Sequence, residues 1–329
     1  MIRLSIRFAG ALALAALFLP ILQASAQQDV PAAPAVQVPS GPAPAAAPVF
    51  PKPDPANFTA ASPTQETVNA FLQANWGYDE NRVWEIWAIQ KTEVDGISRV
   101  VFLVGDKTGK QKIVPSQFYV LPDGKHIFAG DEILPFGANP FAESRAIAQQ
   151  RADGPYRGSA SKDLEIVEFA SFLCPHCKEA QPNMDKLVAD FPKARFVFQN
   201  IPLLTNSAST RAAAYGYCVS KQGGSDSFFT FAAAVFDGQE GLSSDDGTTL
   251  TLNSAVTKAG LDPASIAACA KTPATHAAVD AMVMLAQDLK INQTPTLVIN
   301  GRPVPANVPY DVLKQIIFYQ AKMDGVTAQ

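Results

Sequence analysis

Histidine and cysteine are scarce in this chain of 329 residues, three of one and four of the other. So few soft ligands exclude a multi-metal protein. Positive charge is in deficit as well: 26 Lys and Arg stand against 30 Asp and Glu, a formal charge of −4. A nucleic-acid binder needs a basic footprint, so no nucleic-acid partner is expected. There is no internal repeat, and past the N-terminus no stretch is apolar enough to span a bilayer. What is present is globular composition, 47% apolar and 17% charged. That excludes wholesale disorder and a coiled coil, and the length suits about two domains with a leader or linker.

The one long apolar run opens the chain. Arg3 and Arg7 precede 15 apolar residues at 8–22, interrupted only by Gly10 and Pro20, and Ala24-Ser25-Ala26 follows. This reads as a signal peptide over 1–26, cleaved at the small-x-small site. A membrane-spanning helix wants about 20 apolar residues and no internal proline. Export to the periplasm follows, and with it an oxidising environment for the cysteines. Residues 27–63 hold ten of the 26 prolines and ten alanines. With Phe50 and Phe58 their only large apolar side chains, they read as a disordered linker.

Order is expected from Ser62-Pro63-Thr64-Gln65, read as an N-cap, a proline at the first helical position and a capping-box glutamine. The helix runs to about Trp76. Short strands are expected at 83–89, 97–104, 117–121 and 125–129, separated by the turn residues Asp95-Gly96, 106–109 and Pro122-Asp123-Gly124. Residues 64–142 are thus a small α+β domain of one helix on three or four antiparallel strands. A connecting helix (140–150) and linker occupy 143–158, broken at Asp153-Gly154-Pro155. From 159 to 329 the pattern is strand (164–169), helix (174–191, with Pro182 inside it), strand (194–203), an alanine-rich helical block over about 206–290, a hairpin (296–299 and 302–304 around Asn300-Gly301) and a closing helix (310–323). That order predicts an α/β sandwich with a helical insertion.

The chemistry concentrates in Cys174-Pro175-His176-Cys177, which follows a strand and opens a helix. The free N–H groups and dipole at a helix start favour an anion, so Cys174 is the expected reactive thiolate. Cys177, one turn on, is placed to close or resolve a disulfide with it. His176 adds a charge or a hydrogen bond near the sulfur, and Pro175 fixes the turn. A zinc site would need a second ligand pair, and Cys218, Cys269, His126 and His276 have no ligand spacing. A c-type haem needs His after the second cysteine, where Lys178 stands. No metal and no cofactor are expected. An inert structural disulfide at 174–177 remains the alternative.

Together with Ile166-Val167-Glu168-Phe169, Phe172-Leu173 and Gln293-Thr294-Pro295-Thr296, this motif resembles the DsbA-like thiol:disulfide oxidoreductases of the thioredoxin superfamily. The resemblance covers about 160–325. It implies a thioredoxin fold with a helical insertion. It also implies a cis Pro295 facing the dithiol, Thr294 pairing with substrate through its backbone, and Glu168 as a buried acid exchanging the Cys177 proton; the alternative is a solvated strand-edge glutamate. Cys218 and Cys269, free thiols or a disulfide in an oxidising compartment, correspond to a second bridge that some relatives carry between insertion helices. Phe118-Tyr119-Val120, Asp123-Gly124-Lys125 and Gly130 resemble the dimerisation domain of the DsbC and DsbG isomerases. The expected function is disulfide formation or reshuffling in reduced or misoxidised exported proteins, with a membrane redox partner that recharges the site and a homodimer through 64–142. Oxidase and isomerase both stay open, as does a chaperone-like binder with incidental thiols.

Overall fold

The structure, a computed structural model, describes residues 48–202 and 206–329. The expected signal peptide and the linker up to residue 47 lie outside the described residues. The fold class is mixed α/β, with two five-stranded sheets.

The first sheet is an antiparallel meander of β1 (Arg82–Lys91), β2 (Ser98–Asp106), β3 (Val114–Val120), β4 (His126–Ala129) and β5 (Glu132–Pro135), lying in sequence order. Val68, Phe71 and Leu72 of α1 (Gln65–Trp76) fill its core against Ile86, Val100, Phe102, Phe118 and Ile127. Trp76 and Trp84 meet edge-on at 6.2 Å against this core. Strand β5 exceeds the three or four strands expected; it is only four residues long and carries a proline. The helix cap also differs. Thr64 is the N-cap, its Oγ1 accepting from Thr67 N–H at 3.2 Å, while Pro63 sits before the helix behind a cis Ser62–Pro63 bond. Ser62 is engaged elsewhere, its carbonyl accepting from Ser98 Oγ at 2.5 Å. Residues 54–63 were expected in the linker. Instead Asp54 caps a short turn (Pro55–Asn57), and the N–H groups of Thr59 and Ala60 both donate to the Ile89 carbonyl. An open strand edge offers such partners, and this segment takes them.

The second sheet has the order β10-β9-β7-β8-β6. Strand β6 (Tyr156–Gly158) falls inside the expected linker; it pairs antiparallel with β8 and extends the sheet by one strand. Strands β7 (Glu165–Ala170) and β8 (Arg195–Asn200) run parallel, joined by α3 (Pro175–Asp190). The insertion comprises α4 (Ser207–Asp237, broken at Gly224 with φ +75°), α5 (Asp245–Lys258), α6 (Pro263–Ala270, capped by Asp262) and α7 (Pro273–Asp288). Then β9 (Thr296–Ile299) and β10 (Arg302–Pro305) form the hairpin, and α8 (Tyr310–Met323) closes the chain. Alternation along β7 sorts its two faces. Ile166 packs with Leu187 and Phe191 near α3 and with Leu313 and Ile317 of α8. Val167 and Phe169 pack with Leu285 of α7 and with Ala148 of α2 (Ala142–Arg151).

The two sheets are joined by a buried cation. Arg302, only 5% exposed, donates to the carbonyls of Ala74 and Asn75 at the end of α1 and to Gln320 Oε1 on α8. Its guanidinium lies 4.3 Å from the centre of the Phe141 ring. A cation at a helix C-terminus also complements the helix dipole.

Cys218 on α4 and Cys269 on α6 are bonded as a disulfide, with Cα atoms 6.0 Å apart and a sequence separation of 51. In the chain-entropy picture closing such a loop contributes about 4 kcal/mol. The Cys218→Ser/Cys269→Ser variant should therefore lose up to about 4 kcal/mol of unfolding free energy in urea, with the active-site cysteines unchanged. Mass spectrometry of the unreduced protein digested in acid checks the bridge itself.

Candidate active site

The site forms where β7 ends. The chain leaves Ala170, turns through Ser171 to Leu173 and starts α3 with Cys174 as its N-cap and Pro175 at the first helical position. Proline there forfeits only an N–H that has no helical partner anyway. The Cys174 carbonyl accepts from the N–H groups of Cys177 at 3.1 Å and Lys178 at 3.3 Å. Strand β9 brings the opposing wall. Thr296 is level with Phe169 in the sheet, so the preceding Thr294 and Pro295 stand beside the dithiol turn. The Thr294–Pro295 bond is cis, and Cys174 Sγ lies 3.5 Å from the Thr294 carbonyl oxygen.

The two free thiols are unequal. Cys174 is partly exposed and Cys177 is fully buried. Burial pushes the Cys177 thiol well above the usual range, and the neighbouring Cys174 adds to the rise; the Ser171 N–H, 3.5 Å from Cys177 Sγ, works the other way. Glu168 is 4% exposed, on the same face of β7 as Ile166. It is therefore not a solvated edge residue. Burial raises its carboxyl to about 7, partly opposed by a hydrogen bond from Gln181. Gln181 Nε2 donates to Glu168 Oε1 at 2.8 Å and to the Cys177 carbonyl at 3.1 Å.

The structure thus brings Cys174, Pro175, Cys177, Thr294 and Pro295 to one place, with Glu168 linked to the Cys177 backbone through Gln181. His176 departs from expectation. It is solvent-exposed and its Nδ1 pairs with Glu179 Oε2 at 2.9 Å, one turn along the helix, rather than with a sulfur. Two neighbours were missed by sequence reasoning. Gln181 stands four residues after Cys177, a helical spacing that was available as a signal. Gln239 had none: from the insertion it donates to the carbonyls of Phe172 at 2.7 Å and Cys174 at 3.0 Å. Among the described residues no group of three or more His, Cys, Asp or Glu could hold a metal ion.

A thioredoxin-type sheet, a Cys-x-x-Cys pair opening its first crossover helix and a cis proline whose preceding carbonyl lies beside the first sulfur define a thiol:disulfide oxidoreductase domain. The chain belongs to the thioredoxin family, whose model (described as "Thioredoxin") matches residues 150–318, just over half of the chain. Solved structures it resembles include a thioredoxin-like oxidoreductase from Silicibacter pomeroyi (26% identity, TM-score 0.47, covering 54% of this chain and 98% of that one). Another is oxidised BdbD from Bacillus subtilis (24% identity, TM-score 0.47, 51% and 93%). A third is Proteus mirabilis ScsC in a transitional conformation (18% identity, TM-score 0.46, 56% and 82%). Among curated proteins, the Na(+)/H(+) antiporter NhaA 3 of Salinispora tropica is 36% identical over 47 residues, 14% of this chain. The chain spans 7% of the length of that relative, and likewise of the antiporter NhaA 1 of Salinispora arenicola.

The buried acid has a stability signature. The folded carboxyl, at about 7, is raised from an ordinary 4.5. Between those values the folded state holds a proton that the unfolded state has released, so this group's contribution to stability falls as pH rises through the window. Glu168→Gln should leave stability unchanged near pH 4 and raise it by up to about 3 kcal/mol at pH 8. Urea unfolding of both proteins at the two pH values measures the difference.

Proposed function

We propose that this protein is an exported thiol:disulfide oxidoreductase that forms or reshuffles disulfides in extracytoplasmic proteins. The observation that carries the reading is the division of labour in the dithiol: Cys174 reachable beside cis Pro295, Cys177 fully buried one turn into the helix. In oxidation, a client thiolate attacks Cys174 Sγ of the oxidised pair. A mixed disulfide forms, and Cys177 leaves as a thiolate and takes a proton. A second client thiol then displaces Cys174, leaving an oxidised client and a reduced enzyme that a membrane redox partner must recharge. In isomerisation, the Cys174 thiolate attacks a wrong client disulfide, and Cys177 stands ready to release a trapped client. The backbone of Thr294, beside Cys174, pairs with the client chain in either direction. Export is supported by the Arg3, Arg7, apolar and Ala24-Ser25-Ala26 sequence of the leader and by the second disulfide, which suits an oxidising compartment.

The test combines trapping and titration. After reduction, Cys174 should alkylate and Cys177 should not, and Cys177→Ala should accumulate mixed disulfides with reduced exported proteins whereas Cys174→Ala gives none. Equilibration with glutathione then sets the direction. A potential near about −120 mV marks an oxidase. Equal alkylation of both thiols would defeat the reading.

A homodimer through the first sheet is the second reading, and one row of side chains favours it. Tyr119, Phe128 and Ile133 are in register across β3, β4 and β5, and Phe128 and Ile133 are 42% and 50% exposed on one face at the β5 end of the sheet. Short edge strands with exposed apolar side chains are open to pairing. Light scattering on the mature chain should give twice the monomer mass, and Phe128→Lys/Ile133→Lys should return it to monomer. A wild-type monomer at micromolar concentration defeats the dimer.

A further inference from the structure

The buried Glu168 carboxyl accepts its hydrogen bond from an amide and forms no salt bridge among the described residues. Among the described residues Gln181 is the one side chain that donates to Glu168, and the same Nε2 reaches the Cys177 carbonyl. Both partners are acceptors, so the amide must turn its NH2 toward them, and both of its hydrogens are used. The nearby charges act on Glu168 without bonding to it, Arg157 favouring its ionised form and Asp185 opposing it. Arg157, on β6, is paired with Asp185 of α3 at 2.6 Å and stacked 4.5 Å from the centre of the Phe229 ring. Met184, Phe196, Val197, Phe198 and Phe229 make up the apolar remainder of the wall beside Glu168.

We propose that Gln181 is a positioning residue for proton exchange: it ties the Glu168 carboxyl to the Cys177 turn and reserves Oε1 as an acceptor, so that Oε2 takes and returns the Cys177 proton. The proposal rests on the reading of Glu168 as proton acceptor for Cys177. The step it serves is balanced. Cys177 Sγ attacks Cys174 Sγ of a mixed disulfide, the Cys177–Cys174 bond forms, and the bond from Cys174 to the partner sulfur breaks. The partner leaves as a thiolate, and the Cys177 proton moves to Glu168. A hydrogen bond to a carboxylate favours its charged form, so Gln181 keeps the acid ionisable despite burial. Without that donor, Glu168 would hold its proton to higher pH and accept one from Cys177 only there.

The experiment follows the decay of the Cys174–glutathione mixed disulfide. Reduced full-length protein is mixed with oxidised glutathione from pH 5 to 9, quenched in acid and read by mass spectrometry. In the wild type the decay rate should rise with a midpoint near the Glu168 value of about 7. Gln181→Met, similar in size but without a donor, should move that midpoint up by about one pH unit. Gln181→Asn, whose amide is one methylene short, should move it in the same direction and serves if the Met variant folds poorly. Adding Gln181→Met to Glu168→Gln should produce no further shift. If Glu168→Gln removes the limb while both Gln181 variants keep the wild-type midpoint, the positioning role is overturned. If Glu168→Gln itself leaves the profile unchanged, the parent reading of Glu168 fails and the proposal with it.

Discussion

Strand β7 is hydrogen-bonded to β8 on one side and β9 on the other, and all six of its residues are buried. The rest of the molecule is arranged around that strand. Its end fixes where the chain turns into α3 and therefore where Cys174 lies. Its pairing with β9 fixes where Pro295 lies, because Thr296 sits opposite Phe169. Its fourth residue is Glu168, which the alternation of the strand directs to the α3 side. Dithiol, proline and acid are consequences of one strand register, and a slip of one residue would exchange its faces and send the acid to the other side of the sheet.

The same burial that builds the domain sets the chemistry. Ala170, Phe172, Phe198 and Phe231 enclose Cys177, and both Cys177 and Glu168 hold protons more tightly than they would in water. A thiol buried this way is a poor nucleophile until its proton has somewhere to go. Glu168, raised toward neutrality by burial, is tied to the Cys177 backbone through Gln181. Holding a carboxyl there opposes folding above its ordinary range, so the packed cores on both faces of the sheet must offset that cost.

Much of this was legible in the sequence, and the reasons are local. A strand of apolar residues running into Cys174-Pro175-His176-Cys177 states its own geometry, because a proline after the first cysteine marks a helix start. Asp262-Pro263 and Asn300-Gly301 likewise carry their caps and turns in adjacent residues. The failures are of two kinds. Thr64 rather than Ser62 caps the helix, and the Ser62 carbonyl is bonded by Ser98, 36 positions away, a partner that no adjacent residue announces. Strands β5 and β6, four and three residues long, have too little alternation to be read and exist because a neighbouring strand offers an edge. Gln239 and Arg302 belong with them. Each binds carbonyls more than sixty residues distant, and no spacing along the chain encodes such a partner.

Those two long-range contacts explain how the added parts serve the dithiol. Gln239 holds both carbonyls flanking Leu173, so the helical insertion grips the turn that presents Cys174. Arg302 grips the C-terminal carbonyls of α1 from inside the second sheet. A buried guanidinium that lost those acceptors would be left partly unpaired at a cost of several kcal/mol. Tyr319 donating to the Gln73 carbonyl and Lys290 donating to the Ile133 carbonyl add to the same join between the two sheets.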